Sequence, residues 1–164
     1  MKIEEAAEAF MSSKRFAVTG VSRTSEGHGS NVVYQRLKER GYDVVAINPN
    51  ADRVEGDPCY PNLSAVPGGV DAVVIGTSPE HALATTQEAA ALGISKVWMH
   101  RSFGTGSVSE EATKFGRAHG ILMIDGGCPL MFGNPSDGGH RVMCAFMKLT
   151  GKVPRVIETP TAAE

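Results

Sequence analysis

The chain has few cysteines and almost no excess of charge. Its three cysteines, Cys59, Cys128 and Cys144, are odd in number and lack the short paired spacing of a zinc site or a redox motif, so we expect buried free thiols and no metal site. Sixteen basic residues against 18 acidic ones give a formal net charge of -2, which gives no reason to expect a nucleic-acid or membrane partner. Any anion site must therefore be local.

Long hydrophobic runs are also missing, and no stretch approaches the length that a membrane span needs. Residues 1–8 are acidic and amphipathic, which differs from a secretory or organellar leader and favours a cytoplasmic protein. What is present is 41% hydrophobic residues in 164, enough for one domain to bury a core without disulfides or metals. Nineteen glycines against nine prolines indicate many tight backbone passages.

Short apolar stretches alternate with amphipathic ones along the chain. The apolar stretches predict strands at 15–19, 43–47, 70–75, 96–99 and 121–124. The amphipathic stretches predict helices at 3–12, from Ser30 or Asn31 as N-cap to Gly41, from Pro79 to near Gly93, at 107–120 and at 138–150. Strands that are apolar throughout are covered on both faces, and their alternation with helices indicates parallel βαβ units. We therefore predict an α/β fold, a Rossmann-like doubly wound sheet of about five parallel strands with helices on both faces, in one domain over 1–154 with a flexible tail at 155–164.

The loop after the first strand is the first candidate site, since ligands of such sheets bind beyond the carboxyl ends of the strands. Residues 20–30 contain three glycines, three serines, a threonine and an arginine, and they lead directly into a helix. Amides at a helix N-terminus, together with hydroxyls and a guanidinium, favour a phosphate group. A sharp turn alone would also use the glycines. The candidate cofactor contacts in this loop are Gly20, Val21, Ser22, Arg23, Thr24, Gly29 and Ser30.

Three further segments follow strands and belong to the same predicted groove. The second strand ends in Asn-Pro-Asn, whereas an NAD site normally has Asp or Glu there, and the first loop lacks the G-x-G-x-x-G order. Both departures disfavour a dinucleotide dehydrogenase. A turn at the Asn-Pro-Asn segment, an N-cap role for Ser78 and a structural role for His100 are alternatives to ligand contact. The candidate cofactor contacts are Asn48, Pro49, Asn50, Thr77, Ser78, Pro79, Met99, His100, Arg101 and Ser102.

Four segments occur in a characteristic order, at residues 17–23, 41–50, 97–100 and 128–132. In this combination the chain resembles the small, stand-alone CoA-binding proteins, whose domain is similar to the N-terminal CoA-binding domain of the succinyl-CoA synthetase alpha subunit. The resemblance implies coenzyme A or an acyl-CoA as the cofactor, with its phosphates near Ser22, Arg23 and Thr24 and its adenosine end near residues 48–50. It also implies that residues 77–79 and 99–102 flank the cofactor. The synthetase uses a second domain for ligation that 164 residues leave no room for, so we do not expect ligase activity.

Three functions are compatible with these patterns. The first is non-catalytic binding of CoA or an acyl-CoA, with a small-molecule nucleotide ligand as the partner and no catalytic residue. The second is an NAD(P)-dependent oxidoreductase or epimerase on a degenerate Rossmann loop, which Gly27-His28-Gly29 favours but which lacks a Tyr/Lys pair at helical spacing. The third is a homo-oligomeric scaffold with a vestigial site, based on Met143, Phe146 and Met147, although such residues are more often core. Cys128 follows the last strand and either faces the groove, where it can pair with the CoA thiol, or lies in a buried turn.

Overall fold

Strands and helices alternate along most of the chain, as the hydrophobic pattern predicts. The computed structural model describes residues 1–24, 29–101, 104–133, 146, 149–151 and 153–160. In chain order the elements are α1 (Ile3–Met11), β1 (Arg15–Thr19), α2 (Gly29–Glu39), β2 (Asp43–Ile47), β3 (Arg53–Val54), β4 (Asp57–Tyr60), β5 (Ala72–Ile75), α3 (Pro79–Ala91), β6 (Lys96–Met99), α4 (Glu110–Ala118), β7 (Leu122–Asp125) and a 3-10 turn (Pro129–Met131).

The strands form one sheet in the order β3-β4-β2-β1-β5-β6-β7, in which neighbours are parallel except for the antiparallel pair β3 and β4. The predicted α/β, Rossmann-like fold is confirmed. The predicted number of about five strands is too low, since the described residues contribute seven. The two additional strands form a hairpin at one edge, joined by a turn at Glu55 and Gly56, which both have positive φ.

The buried side chains divide into two layers, one on each face of the sheet. Phe16 and Val18 of β1 point to the layer shared with α1 and α2, and Ala17 points to the layer shared with α3 and α4. Trp98 of β6 is fully buried, with its ring 5.2 Å from that of Phe10 and 5.5 Å from that of Phe132. Because both faces are covered, the central strands are apolar throughout rather than alternating.

The C-terminal segment differs from the flexible tail expected at 155–164, at least in the part that the structure describes. Ile157 is fully buried, its amide donates to the Met1 carbonyl at 2.9 Å, and Val156 bridges to Lys2. The apolar side chain of Ile157 joins the core beside α1, which the polar composition of this segment conceals. The helix predicted at 138–150 lies almost entirely outside the described residues. None of the described helices has both the length and the hydropathy needed to cross a bilayer.

Candidate functional site

The order of the strands reverses direction at β1, which pairs with β2 on one side and β5 on the other. The backbones that leave β1 and β5 approach each other closely there. A Cβ atom on Gly20, whose φ is +75°, would lie 2.8 Å from the Gly76 carbonyl oxygen, and one on Gly76 would lie 2.7 Å from the Thr19 carbonyl oxygen. The Ser30 hydroxyl donates to the Gly76 carbonyl at 3.1 Å. Glycine at both positions therefore permits the crevice in which doubly wound sheets bind ligands.

A cavity of about 390 Å³ opens at this point, between the carboxyl ends of β1 and β2 and one face of α3. Its walls combine apolar side chains with neutral polar groups, one histidine and one carboxylate. Five of the predicted contact residues line it: Gly20, Asn48, Pro49, Asn50 and Thr77. The other lining residues are Thr19, Ile47, Pro61, Asn62, Leu63, His81, Ala84, Thr85 and Glu88.

The polar groups of the cavity differ in whether the protein itself satisfies them. Glu88 Oε1 accepts hydrogen bonds from the amide and the hydroxyl of Ser64, at 2.9 and 2.8 Å. Thr77 Oγ1, in contrast, is buried and has no hydrogen-bond partner among the described residues. A buried hydroxyl without a partner destabilises the protein, so its presence in a cavity wall suits a ligand that supplies the partner.

Asn48, at the end of β2, has its side-chain amide committed to the backbone. Its Nδ2 donates to the Val21 carbonyl at 2.8 Å, and its Oδ1 accepts from the Asn50 amide at 2.8 Å. The second contact closes an Asx turn, which is the local role that the Asn-Pro-Asn sequence also suggests. Asn48 thus ties the loop after β2 to the loop after β1.

The loop after β1 has fewer backbone amides free to bind a ligand than its sequence predicts. The Gly20 amide donates to the Ile47 carbonyl at 3.2 Å, the Ser22 amide to Asn31 Oδ1 at 2.8 Å, and the Thr24 amide to Ser22 Oγ at 3.2 Å. The Val21 side chain is fully buried in the core and does not line the cavity. Residues 25–28 lie outside the described residues. Three of the five backbone amides of residues 20–24 are therefore bonded within the protein, and the Arg23 side chain is exposed to a ligand.

Asn31 and Ser30 lie within α2 and do not act as its N-cap. Asn31 is 1% exposed, and its Nδ2 donates to the Ser22 carbonyl at 2.8 Å and to Glu55 Oε1 at 2.6 Å. The other oxygen of Glu55 accepts from Gln35 at 2.7 Å. The β3–β4 hairpin thereby supports the first loop through Asn31, a connection that the sequence pattern does not reveal.

The segment after β6 contributes to the structure in three different ways. Met99 is fully buried, and its sulfur accepts from the Ser109 amide at 3.4 Å, so its side chain belongs to the core and not to the cavity wall. His100 lies beside α2, where a Cβ on Gly29 would be 3.4 Å from its Cε1, and burial lowers the pKa of His100 to about 4. The ring is therefore neutral near pH 7. Arg101 Nε donates to the Gly104 carbonyl at 2.9 Å, and Ser102 lies outside the described residues.

Two cysteines can be described, and both are free and buried. Burial raises the pKa of Cys128 to about 12, so its thiol is protonated and weakly nucleophilic. The buried turn is therefore the alternative that the structure favours for Cys128. No cluster of three or more His, Cys, Asp or Glu side chains suited to a metal ion occurs in the described part of the chain.

A family model described as a CoA binding domain matches residues 14–134. The chain belongs to this family of CoA-binding domains. The resemblance drawn from the four sequence segments is thus confirmed.

Three known proteins are similar to this chain in sequence or in fold. The ADP-forming acetate–CoA ligase II of Archaeoglobus fulgidus is 39% identical over 64 residues, which are 38% of this chain but 9% of the ligase. A hypothetical protein from Pyrococcus horikoshii OT3 superposes with a TM-score of 0.72 at 25% identity, covering 79% of this chain and 88% of that one. The dinucleotide-forming acetyl-coenzyme A synthetase 1 of Ca. Korarchaeum cryptofilum, in complex with phosphate and ADP, superposes with a TM-score of 0.56 at 27% identity, covering 68% of this chain and 25% of that one.

Several cavity residues of this CoA-binding domain do not directly follow one of the predicted strands, so a search of strand ends alone misses them. His81, Thr85 and Glu88 are spaced by four and three residues, so they share one face of α3. A polar face on a helix that starts at the crevice can be recognised from the sequence, and it would have indicated these cavity residues. Residues 61–63 follow β4, whose sequence Asp-Pro-Cys-Tyr contains no apolar run that would predict a strand. Ser78 and Pro79 do not line the cavity but begin α3, as its N-cap and first residue.

Proposed function

We propose that this chain binds coenzyme A or an acyl-CoA at the carboxyl edge of its sheet, without catalysing a reaction. The observation that carries the proposal is a cavity at the reversal of strand order in a chain that belongs to the CoA-binding domain family. The adenosine end occupies the cavity beside α3. The diphosphate faces residues 20–24 and the start of α2, and the pantetheine arm continues past His100 and Arg101.

The cavity wall supports the adenosine position. Ile47, Pro61 and Leu63 provide apolar surface for a purine ring, and pockets of this volume and mixed polarity are typical of small-molecule sites. The partnerless Thr77 hydroxyl can donate to or accept from a base or a ribose. These residues fit a nucleoside better than they fit a chain of phosphates.

The first loop supports the diphosphate position through its side chains. The hydroxyls of Ser22 and Thr24 are 3.2 Å apart, and the exposed Arg23 lies between them in sequence. A guanidinium forms strong charge-assisted hydrogen bonds with phosphate oxygens. Ser22, Arg23 and Thr24 are therefore the residues that we propose for phosphate contact, with Gly29 and Ser30 at the start of α2.

A role in binding alone fits the extent of the relationship to the ligase, because the aligned stretch is a small part of that enzyme. The family match does not favour the alternative of an NAD(P)-dependent oxidoreductase or epimerase. The acyl group, the cytoplasmic location and a homo-oligomeric state remain predictions.

A thermal-shift panel of CoA, acetyl-CoA, NAD, NADP and ATP tests the proposal. A ligand present at a hundred times its Kd stabilises the folded state by about 2.7 kcal/mol. We expect CoA and acetyl-CoA to raise the melting temperature and NAD and NADP to leave it unchanged. Stabilisation by NAD alone would reverse the assignment, and equal stabilisation by ATP and CoA would reduce it to a general nucleotide site.

The same panel run on two arginine variants locates the phosphates. Arg23→Ala should weaken CoA binding by about 1.5 to 3 kcal/mol, the usual contribution of a charge-assisted contact. Arg36→Ala is the control, because Arg36 is also exposed but pairs with Glu39 on α2. Equal CoA binding by both variants would remove Arg23 from the site.

A further inference from the structure

The ribose of CoA carries a 3′-phosphate, and dephospho-CoA differs from CoA only in lacking this group. In nucleotide-binding sheets of this topology, the residues directly after the second strand contact the ribose. An acidic residue there binds a ribose hydroxyl, and a nearby arginine accommodates a ribose phosphate. The nature of the side chains after β2 therefore determines whether the phosphate is recognised. This inference rests on the proposed function, since it concerns the adenosine end of the same ligand.

The cavity beside β2 provides no cation for such a phosphate. Of its fourteen lining residues none is a lysine or an arginine, its one carboxylate is that of Glu88, and its one imidazole is that of His81 on α3. The first basic residue after β2, Arg53, donates to the Gly56 carbonyl at 2.5 Å within the β3–β4 hairpin. Apart from the imidazole of His81, the charges described around the adenosine end therefore do not attract a dianion.

Neutral donors at this position are also limited. Both polar atoms of the Asn48 side chain are held by the backbone of Val21 and Asn50. The Asn50 side chain is exposed, and its contacts would compete with water. A phosphate placed here remains solvated, so its presence adds little to the binding free energy.

We propose that this site binds the CoA nucleotide without recognising its 3′-phosphate, so that dephospho-CoA binds at least as tightly as CoA. Its ligands are then adenosine diphosphate compounds with a pantetheine arm, whether or not the ribose is phosphorylated. The specificity comes from the cavity and the first loop and not from the end of β2.

Isothermal titration with CoA and with dephospho-CoA at low ionic strength tests this proposal. We expect the two Kd values to agree within about threefold, with any difference favouring dephospho-CoA because of the Glu88 carboxylate. CoA binding about tenfold more tightly or better would overturn the inference and leave the proposed function standing. Failure of both ligands to bind would overturn the proposed function and the inference together.

A variant that adds a cation beside the ribose tests the same inference from the opposite direction, since it should create a preference for CoA. Asn50→Lys places an ammonium group on an exposed position of the cavity wall and keeps the backbone amide that closes the Asx turn. This variant should bind CoA about tenfold more tightly than dephospho-CoA. Leu92→Lys is the control, since it adds the same charge at the other end of α3, on an exposed residue outside the cavity wall. Equal CoA preference in both lysine variants, or in neither, would contradict the placement of the ribose beside Asn50.

Discussion

The two sides of the sheet at its carboxyl edge differ in whether their polar groups have hydrogen-bond partners within the protein. On the α2 side, which comprises residues 20–24 and the first turn of α2, the amide of Ser22 and the side chain of Asn31 bind each other, and Glu55 supports them from the hairpin. On the α3 side, which comprises the cavity wall, the hydroxyl of Thr77 is buried without a partner in the described structure. The contacts of Ser22 and Asn31 are satisfied within the protein, whereas the Thr77 hydroxyl retains an unmet hydrogen bond.

This difference indicates that the two sides of the carboxyl edge contribute to ligand binding in different ways. Internal hydrogen bonds fix the backbone of the first loop before a ligand arrives, which reduces the conformational entropy lost on binding. The α3 side supplies contacts that only a ligand completes. Substitutions of the internally bonded residues of the α2 side, such as Asn31, should therefore act mainly on stability, and substitution of Thr77 on the α3 side mainly on affinity. The exposed Arg23 is the exception on the α2 side, because its side chain is proposed to contact phosphate.

The largest effect is expected where the two sides meet, at Gly20. Gly20→Ala introduces a Cβ 2.8 Å from the Gly76 carbonyl oxygen at a φ of +75°, so we expect a loss of about 3 kcal/mol from strain and overpacking together. Gly41→Ala is the matched control, because its φ is +87° but nothing lies within 4 Å of the new Cβ, and it should cost about 1 kcal/mol. Urea denaturation measures both. Equal losses would show that the backbones are not in close contact.

On the α2 side, Asn31→Ala should lower the free energy of unfolding by about 2 kcal/mol, since it leaves the Ser22 backbone and a Glu55 oxygen without their partner. Gln35→Ala also removes a donor to Glu55, but from an exposed residue with no described contact to the loop, and it should cost less than about 0.5 kcal/mol. Denaturation curves of both variants give the comparison. If the two losses were alike, the hairpin and not the loop would be what Asn31 stabilises.

The sequence predicts the sheet best where burial alone determines it. The strands near 15–19, 43–47, 72–75, 96–99 and 122–125 are apolar on both faces, so a continuous hydrophobic run identifies each one. The hairpin strands β3 and β4 read Arg-Val and Asp-Pro-Cys-Tyr, so neither is a continuous hydrophobic run, and β4 contains Pro58. Only the Glu55-Gly56 turn marks it, and that signal is weak without a strand on either side.

The candidate site is only partly predictable, because a strand end specifies a position along the chain and not the direction of each side chain. Met99 ends β6, but the alternation of the strand turns its side chain into the core. Asn31 is of a residue type that is typical of an N-cap, yet it lies within the helix and accepts a hydrogen bond from the amide of Ser22, nine residues away. Pairings of this kind depend on how close the elements lie in three dimensions, which residue types and spacing do not encode.

The smallest effect is expected on the α3 side, and it should fall on affinity. Thr77→Val removes the partnerless hydroxyl while keeping the shape of the side chain, so the free energy of unfolding should stay the same or rise slightly, and CoA affinity should fall by about fivefold. Thr86→Val is the control: the Thr86 hydroxyl is buried but donates to the Ala82 carbonyl at 2.8 Å, and the residue does not line the cavity. It should lose about 1 kcal/mol of stability and leave CoA affinity unchanged. Calorimetry and denaturation on both variants measure the four quantities. A Thr77→Val protein that bound CoA normally would mean that the ligand does not satisfy this hydroxyl, and the distinction between the two sides would then rest on the α2 side alone.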